Sequence, residues 1–366
     1  MRVVLIIPTL TLGGAEKIAL DTAVGMAELG NDVHLITLNA RHSQFDLDEY
    51  GDVDIKVLKN PFMLPRLLYK LKPDLCVSYM ERANFITGLL CCFLNLKSIA
   101  TVHTAPKKGF ANRNLINRLF IFITYKLLAV LNVPIACVSR GVANEIKVTY
   151  KAKNVHVIPN FINIKKIDDE YPIVQNFDDR ECDVLFVGRL SRIKGCDLLV
   201  DAICKIHHEV KRLKFKIVII GDGPEKIILQ QKISHYGLDS YVTFNGAAKE
   251  PFYYMNRSKY LVVPSYAEGF GLVILEGLAL GCEIIYSMCD FGPREIIGEH
   301  VPCMADLSFL DPSVNRDEAV DELSKLLLFS KSRSESCSSI AKRDAVRYNF
   351  RKELTCRAFL SLYDYK

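Results

Sequence analysis

Asp183-Val-Leu-Phe-Val187, then Gly188-Arg189-Leu-Ser-Arg-Ile-Lys194-Gly195, then an apolar-periodic run from Cys196 to Lys211: this stretch decides the fold. A short apolar β-forming run reads as a buried parallel strand. Glycines at both ends of the next segment read as a tight loop, and the period then changes to that of a helix. Strand, loop and helix in that order open a βαβ unit. The same succession begins the chain. Val3–Ile7 is a strand, Gly13-Gly14 a turn, Ala15–Leu29 a helix stopped by Gly30, and Asp32–Leu38 the next strand. Further strands fit the first half at Leu75–Ser78, Ser98–His103, Ile135–Val138 and Val155–Ile158. In the second half they fit at Phe215–Ile220, Tyr241–Phe244, Tyr260–Val263 and Glu283–Tyr286, with a helix at Leu272–Ala279. Helical patterns separate them, which predicts two parallel, doubly wound α/β sheets. Asn163–Arg180 is rich in Lys, Asp and Asn, contains Pro172 and lacks clear periodicity, so it reads as a linker. The expected organisation is an N-terminal domain over 1–163, a linker over 164–182 and a C-terminal domain over 183–345. A C-terminal helix over 346–366 would pack back on the N-terminal domain.

A chain of 366 residues suits two domains of about 100–200 residues each. Half the residues are hydrophobic and 24% are charged, enough apolar surface for two cores and too much for a disordered chain. The 12 cysteines form no Cys-x-x-Cys pair, which excludes a zinc-finger spacing and fits reduced thiols in a cytoplasmic protein. The apolar run Val3–Leu10 is short and passes into Thr11–Glu16, not into a small-residue cleavage site. No run reaches the roughly 18 apolar residues of a membrane span. The nearest, Leu119–Cys137, is interrupted by Lys126, Asn132 and Pro134, and reads as helix, break and strand. Charge is uneven. Residues 1–160 hold 19 Lys/Arg against 12 Asp/Glu, and Arg82–Asn144 holds eight basic residues and no acidic one.

Ligands of parallel α/β sheets bind beyond the carboxyl ends of the strands, so the loops there carry the chemistry. Gly13 and Gly14 let the backbone approach a ligand at a helix N-terminus, a place that attracts phosphate, although a tight turn alone would also use them. Arg189 offers a planar fork and Lys194 a point charge to a leaving diphosphate. Ser265-Tyr-Ala-Glu268-Gly-Phe-Gly271-Leu-Val-Ile-Leu-Glu276 places two carboxylates eight positions apart around the start of a helix. Glu276 can accept hydrogen bonds from paired ribose hydroxyls, and Glu268 can reach a sugar.

This Glu-x7-Glu stretch resembles the signature of retaining glycosyltransferases of family 4, which have the GT-B fold. Gly13-Gly14, Val157–Asn163, Gly188–Gly195 and Gly221-Asp222-Gly223-Pro224 resemble four further motifs of that family in the same order. The resemblance implies two Rossmann-like domains facing a central cleft and a nucleotide-sugar as co-substrate, with no metal or other cofactor. It implies that Arg189 and Lys194 hold the diphosphate and that Glu276 binds the ribose. Glu268 would sit by the donor sugar, and Phe270, Gly271 and Leu272 would give backbone contacts to sugar and phosphate. His103 resembles the family's histidine near the donor sugar. Glu268, His103, Arg189 and Lys194 are therefore the expected catalytic residues. The anomeric configuration would be kept, with the diphosphate taking the acceptor's proton. Gly281-Cys282-Glu283 departs from the family's small-residue–Pro-Val step. Phe291–Ile296 resembles a version found in polysaccharide-building members, many of which use UDP-sugars. Asp46/Asp48 and Asp52/Asp54 lie in a polar stretch and read as solvated loop carboxylates.

The expected acceptor is a glycan or a polyprenyl-diphosphate-linked saccharide. Lys107, Lys108, Phe110 and the segment Asn112–Lys126 mix cations with large apolar residues. The pattern fits a helix at an anionic membrane surface, hence peripheral attachment to the inner face of the cytoplasmic membrane. It fits an ordinary core helix with basic edges equally well. Nucleic acid is a poorer partner, because no nucleic-acid module is visible. A sugar-nucleotide epimerase on the same fold and a noncatalytic partner subunit are the competing readings. A dinucleotide dehydrogenase is disfavoured, since neither half carries Gly-x-Gly-x-x-Gly. Base recognition is expected around Asn245–Lys249.

Overall fold

The computed structural model describes residues 1–11, 13–39, 45–106, 114–172, 174, 176–210, 215–248, 251–289, 291–300, 308–330 and 339–364. The chain divides into two compact units, Met1–Phe161 with Phe350–Lys366, and Ile162–Asn349. The sequence reading sets these divisions at 163/164 and 345/346. Lys107, Lys108, Phe110 and Lys249 lie outside the described residues.

The first unit holds strands β1 (Arg2–Ile7), β2 (Asp32–Thr37), β3 (Asp54–Val57), β4 (Leu75–Tyr79), β5 (Lys97–Val102), β6 (Ile135–Cys137) and β7 (Val155–Val157). All pair in parallel, in the order β3-β2-β1-β4-β5-β6-β7. Its helices are α1 (Gly14–Glu28), α2 (Leu64–Leu71), α3 (Glu81–Leu94), α4 (Leu115–Val130) and α5 (Arg140–Tyr150). The central strand β1 is buried from Val3 to Ile7 because helices cover both faces of the sheet, which is why it reads as an unbroken apolar run. The edge strand β3 has exposed ends, Asp54 and Val57, around the partly covered Ile55 and Lys56, and begins inside the stretch that the sequence assigns to a loop. Asp54 is accordingly not a free loop carboxylate. It receives the His34 imidazole at 2.7 Å and pairs with Lys56. Asp46 caps a short 3-10 turn over Leu47–Tyr50 through the Asp48 N–H.

The second unit begins with α6 (Ile164–Glu170), where the sequence shows only a polar linker. Asn163 starts this helix by accepting from the Lys166 N–H. Its sheet contains β8 (Cys182–Val187), β9 (Ile217–Ile220), β10 (Val242–Phe244), β11 (Ser258–Val263), β12 (Glu283–Ser287) and β13 (Ser308–Phe309). They run in parallel in the order β10-β9-β8-β11-β12-β13, which repeats the topology of the first sheet. Helices α7 (Cys196–Val210), α8 (Lys226–His235), α9 (Phe252–Asn256), α10 (Leu272–Ala279), α11 (Pro293–His300), α12 (Arg316–Ser330) and α13 (Ser339–Asn349) surround it. Arg180 locks the segment before β8 to this unit: its buried guanidinium donates to the carbonyls of Ser258 at 2.8 Å and Leu280 at 2.9 Å.

The last helix, α14 (Lys352–Asp364), belongs to the first unit. It lies on α1 at Gly25, where a Cβ would meet Cys356 and Lys352. Lys352 pairs with Glu28 at 2.6 Å, and Thr355 donates to the Pro159 carbonyl at 3.0 Å. Both sheets therefore have the 3-2-1-4-5-6 core of a doubly wound fold, and together they form a GT-B chain.

Candidate active site

In the second unit the loops after β8, β9 and β11 lock together at the carboxyl ends of the strands. Gly221 follows β9 at φ 151°, and a Cβ there would collide with the Gly188 carbonyl. Leu190 donates its N–H to Asp222 O at 2.9 Å and receives that of Glu225 at 3.1 Å. The loop after β8 then turns through Gly195 at φ 68°, so close to the Pro264 carbonyl that only glycine fits. Tyr266 N–H closes the arrangement onto Ile193 O at 2.9 Å. These contacts explain glycines of two separate motifs: Gly195 and Gly221 each remove a side chain where one loop backbone crosses another.

The loop packing brings Lys194 and Glu268 into direct contact, although 74 positions separate them. Lys194 Nζ lies 2.7 Å from Glu268 Oε1, and Ser265 Oγ donates to the same oxygen at 2.7 Å. The Glu268 side chain is 7% exposed and that of Lys194 35%, so the carboxylate is buried while the ammonium still reaches water. Ser287 Oγ in turn donates to the Ser265 carbonyl. Gly271, at φ 92°, is the residue before α10, and no side chain caps the first N–H groups of that helix. Leu272 is the first residue of α10, and Phe270 is buried, its carbonyl against Gly292 at the start of α11. Glu276 lies on the second turn of α10, 7% exposed. Arg189 is different. It is exposed and makes no side-chain hydrogen bond or ion pair among the described residues.

The first unit carries Gly13, Gly14 and His103 at the carboxyl ends of β1 and β5. Gly13 is extended, at φ −162°, and its role is room rather than conformation: a Cβ there would collide with the Glu16 carboxylate. Glu16 is buried, accepts from Thr11 Oγ1 at 3.1 Å and from its own N–H, and is held above the usual carboxylate range by burial. The N-terminus of α1, read from the sequence as an attractor of phosphate, thus already faces a carboxylate of its own chain. The signal was present: an acidic residue three positions after Gly13 is where a helix N-terminus recruits its own anion.

His103 stacks on Tyr79, with ring centroids 5.4 Å apart and planes at 22°. Its Nε2 is 3.1 Å from Thr101 Oγ1. The Thr101 hydroxyl proton is committed to Ser78 O at 2.8 Å, so its oxygen accepts and Nε2 carries the ring proton. Burial pushes the imidazole down to about 4, against a smaller upward effect of the hydrogen bond to Asn160. At neutral pH His103 is a neutral donor through a fixed tautomer, not a cation.

Among the described residues no three His, Cys, Asp or Glu side chains converge as metal ligands, and no helix is long and apolar enough to cross a membrane. The cavity of ≈ 340 Å³ in the first unit, lined among others by Lys97, Asn154, His156 and Tyr363, opens at the amino ends of its strands, away from these loops.

Residues 12–166 match the family model Glycosyltransferase Family 4, and residues 181–328 match Glycosyl transferases group 1. The N-acetylgalactosamine-N,N'-diacetylbacillosaminyl-diphospho-undecaprenol 4-alpha-N-acetylgalactosaminyltransferase of Campylobacter jejuni is 25% identical over 307 residues, covering 78% of this chain and 80% of that protein. The amylovoran biosynthesis glycosyltransferase AmsD of Erwinia amylovora is 25% identical over 300 residues, again 78% and 80%. Among solved structures, Anabaena Alr3699/HepE in complex with UDP and glucose superposes with a TM-score of 0.78 over 100% of both chains at 16% identity, a likeness of fold. With both halves matched in order, and the motifs of each half gathered at the carboxyl ends of its strands, the chain belongs to glycosyltransferase family 4, whose members transfer sugars from nucleotide-sugars.

Proposed function

We propose that this chain is a retaining, metal-independent hexosyl- or N-acetylhexosaminyltransferase. Its donor is a UDP-sugar, and its acceptor is a lipid-linked saccharide in cell-surface polysaccharide synthesis. The observation that carries the reading is the Lys194–Glu268–Ser265 cluster set beside the N-terminus of α10, one helix turn and a half from Glu276. Three kinds of group that a nucleotide-sugar requires stand within one loop system: a cation and helix N–H groups for diphosphate, a buried carboxylate for sugar hydroxyls, and a second for ribose. The chain's named relatives act on a diphospho-undecaprenol saccharide and in amylovoran biosynthesis, which supports the acceptor class. The complex of Alr3699/HepE with UDP supports the base.

On this reading the bond from the anomeric carbon to the diphosphate breaks, and a bond to the acceptor oxygen forms on the same face. The acceptor proton leaves on the diphosphate. Lys194 and Arg189 stabilise the charge that grows on the leaving group. Glu268 orients Lys194 before the donor arrives and accepts from a sugar hydroxyl. Glu276 fixes the ribose, and His103, whose Nε2 proton goes to Thr101, accepts at Nδ1 from a sugar hydroxyl without adding charge.

The acceptor reading draws further support from α4. Ile121, Thr124, Tyr125 and Leu128 face the core, while Leu115, Ile116, Leu119, Phe122 and Ile123 form an exposed apolar stripe with Arg118 beside them. An apolar stripe flanked by cations on a unit with an acid-free stretch suits peripheral docking on an anionic membrane.

The test is nucleotide release from a panel of UDP- and GDP-sugars without added metal, with and without a membrane lipid extract, for the wild type and Glu276→Ala. Release of UDP from one sugar, raised by the extract and lost in the variant, is the expected result. Turnover of no nucleotide-sugar, or activity unaffected by the substitution, would overturn the assignment.

A further inference from the structure

The connection between β4 and α3 is a single residue. β4 ends at Tyr79, α3 starts at Glu81, and Met80 between them has φ 71° and ψ 158°. Positive φ with extended ψ is a region that side chains avoid and glycine occupies freely. Lys72, Asn95 and Lys151 also have positive φ, but each closes a helix in the ordinary left-handed region, with ψ of 59°, 40° and 34°. Met80 instead opens one.

The surroundings impose this conformation. Ser78 Oγ donates to Asn84 Oδ1 at 2.8 Å, Asn84 Nδ2 donates to Thr101 O at 2.8 Å, and Thr101 Oγ1 donates to Ser78 O at 2.8 Å. All three residues are at most 1% exposed. This buried ring ties the first turn of α3 to β4 and β5 at once, and the Asn84 N–H holds the Met80 carbonyl at 2.9 Å. One residue is left to make the turn. Glycine would make it without a steric cost, yet the chain carries methionine, partly exposed. The strained residue also sits at the edge where the first unit would meet its ligand. Its neighbour Tyr79 pairs with Thr101 across the sheet and stacks on His103.

Strain that is tied down at a strand end is characteristic of sites that must present one side chain in one place. We infer that Met80 is a specificity-determining residue of the acceptor site. Its thioether packs on the apolar face of the acceptor sugar beside His103, and the strained turn fixes it there. The inference rests on the transferase reading above.

Three variants test it: Met80→Gly removes strain and side chain, Met80→Ala keeps the strain and removes the thioether, and Met80→Leu keeps an apolar side chain of similar size. Thermal unfolding is measured for all three, with the amount of membrane lipid extract needed for half-maximal UDP release and the donor concentration for half-maximal hydrolysis in its absence. Met80→Gly is expected to unfold at a higher temperature than Met80→Ala, the reverse of their order at an unstrained position. Both should need about tenfold more extract, the effect of losing one buried apolar side chain, at unchanged donor half-saturation. Met80→Leu should stay within about threefold of the wild type. An alanine variant as stable as the glycine variant would overturn the strain, and a wild-type extract requirement in both would overturn the acceptor contact. Absence of turnover in the wild type itself would instead strike the transferase reading.

Discussion

Replacing Lys194 by alanine leaves Glu268 as a buried carboxylate with the Ser265 hydroxyl as its remaining donor within this cluster. Removing one partner of a fully buried ion pair costs about 3–5 kcal/mol. The Lys194 side chain is 35% exposed and that of Glu268 only 7%, so water already screens one end of the pair, and the cost falls to roughly 2 kcal/mol. For a unit of this size that is a fall of about 4–8 °C in the unfolding midpoint of the second unit. Glu268→Gln in the same chain removes the orphaned charge and keeps an oxygen for Ser265. The double variant should therefore be more stable than Lys194→Ala alone, with a coupling of at least about 1 kcal/mol in a double-mutant cycle. UDP release should stay lost in Lys194→Ala and in the double variant, because restoring stability does not restore the cation. Differential scanning calorimetry with the nucleotide-release assay reads both. A Lys194→Ala chain that melts with the wild type, or a double variant no more stable than the single, would refute the buried-pair reasoning.

Arg189 has no side-chain partner among the described residues, so Arg189→Ala should leave the unfolding free energy within about 0.5 kcal/mol of wild type while lowering the rate of UDP release by roughly 10²-fold, the size of losing one leaving-group donor; a matching loss of stability would count against that role. His103 makes stability depend on pH. The unfolded imidazole has the ordinary value of 6.5 and the folded one is near 4, so between them the unfolded chain holds the extra proton and stability is lost as pH falls through this window. The two values limit the effect to roughly 3 kcal/mol, and His103→Gln should flatten the pH dependence of stability from urea unfolding between pH 6.5 and 4, while an unchanged slope would contradict a ring held neutral by its surroundings. Phe122→Glu on the exposed side of α4 should abolish co-sedimentation with phosphatidylglycerol vesicles at unchanged unfolding temperature; undiminished binding would remove α4 from the membrane contact.

The repeated order of strand, glycine loop and helix was legible because buried parallel strands are continuous apolar runs and their loops end on glycine. Strand β3 was not, since an edge strand that reads Asp-Ile-Lys-Val has no apolar run to show, and its Asp54 counts as loop polarity until His34 and Lys56 are seen around it. Arg180 looked like one more charge in a polar segment, because its acceptors are main-chain carbonyls as far as 100 positions away. In the site, the residue types were readable but the pairings were not. Lys194 and Glu268 were assigned to phosphate and sugar separately, and only the crossing of two loops at Gly195 and Pro264 makes each the other's partner.

The charges of the first unit acquire a different meaning once Glu16 is placed. A basic half-chain with a glycine turn before its first helix suggests that this turn takes the phosphate. The structure adds to that turn a buried carboxylate, Glu16, which accepts from Thr11 Oγ1 and is raised above the usual carboxylate range by burial. Another cation of this unit, Arg118 on α4, stands beside an exposed apolar stripe. The second unit has little net charge but concentrates Lys194, Arg189 and the α10 N-terminus around one loop system. On the proposed reading, phosphate of the donor and phosphate of a membrane or lipid-linked acceptor meet different cations. A uniform loss of positive charge would not weaken both alike: neutralising Arg118 should act on vesicle binding, and neutralising Arg189 on nucleotide release.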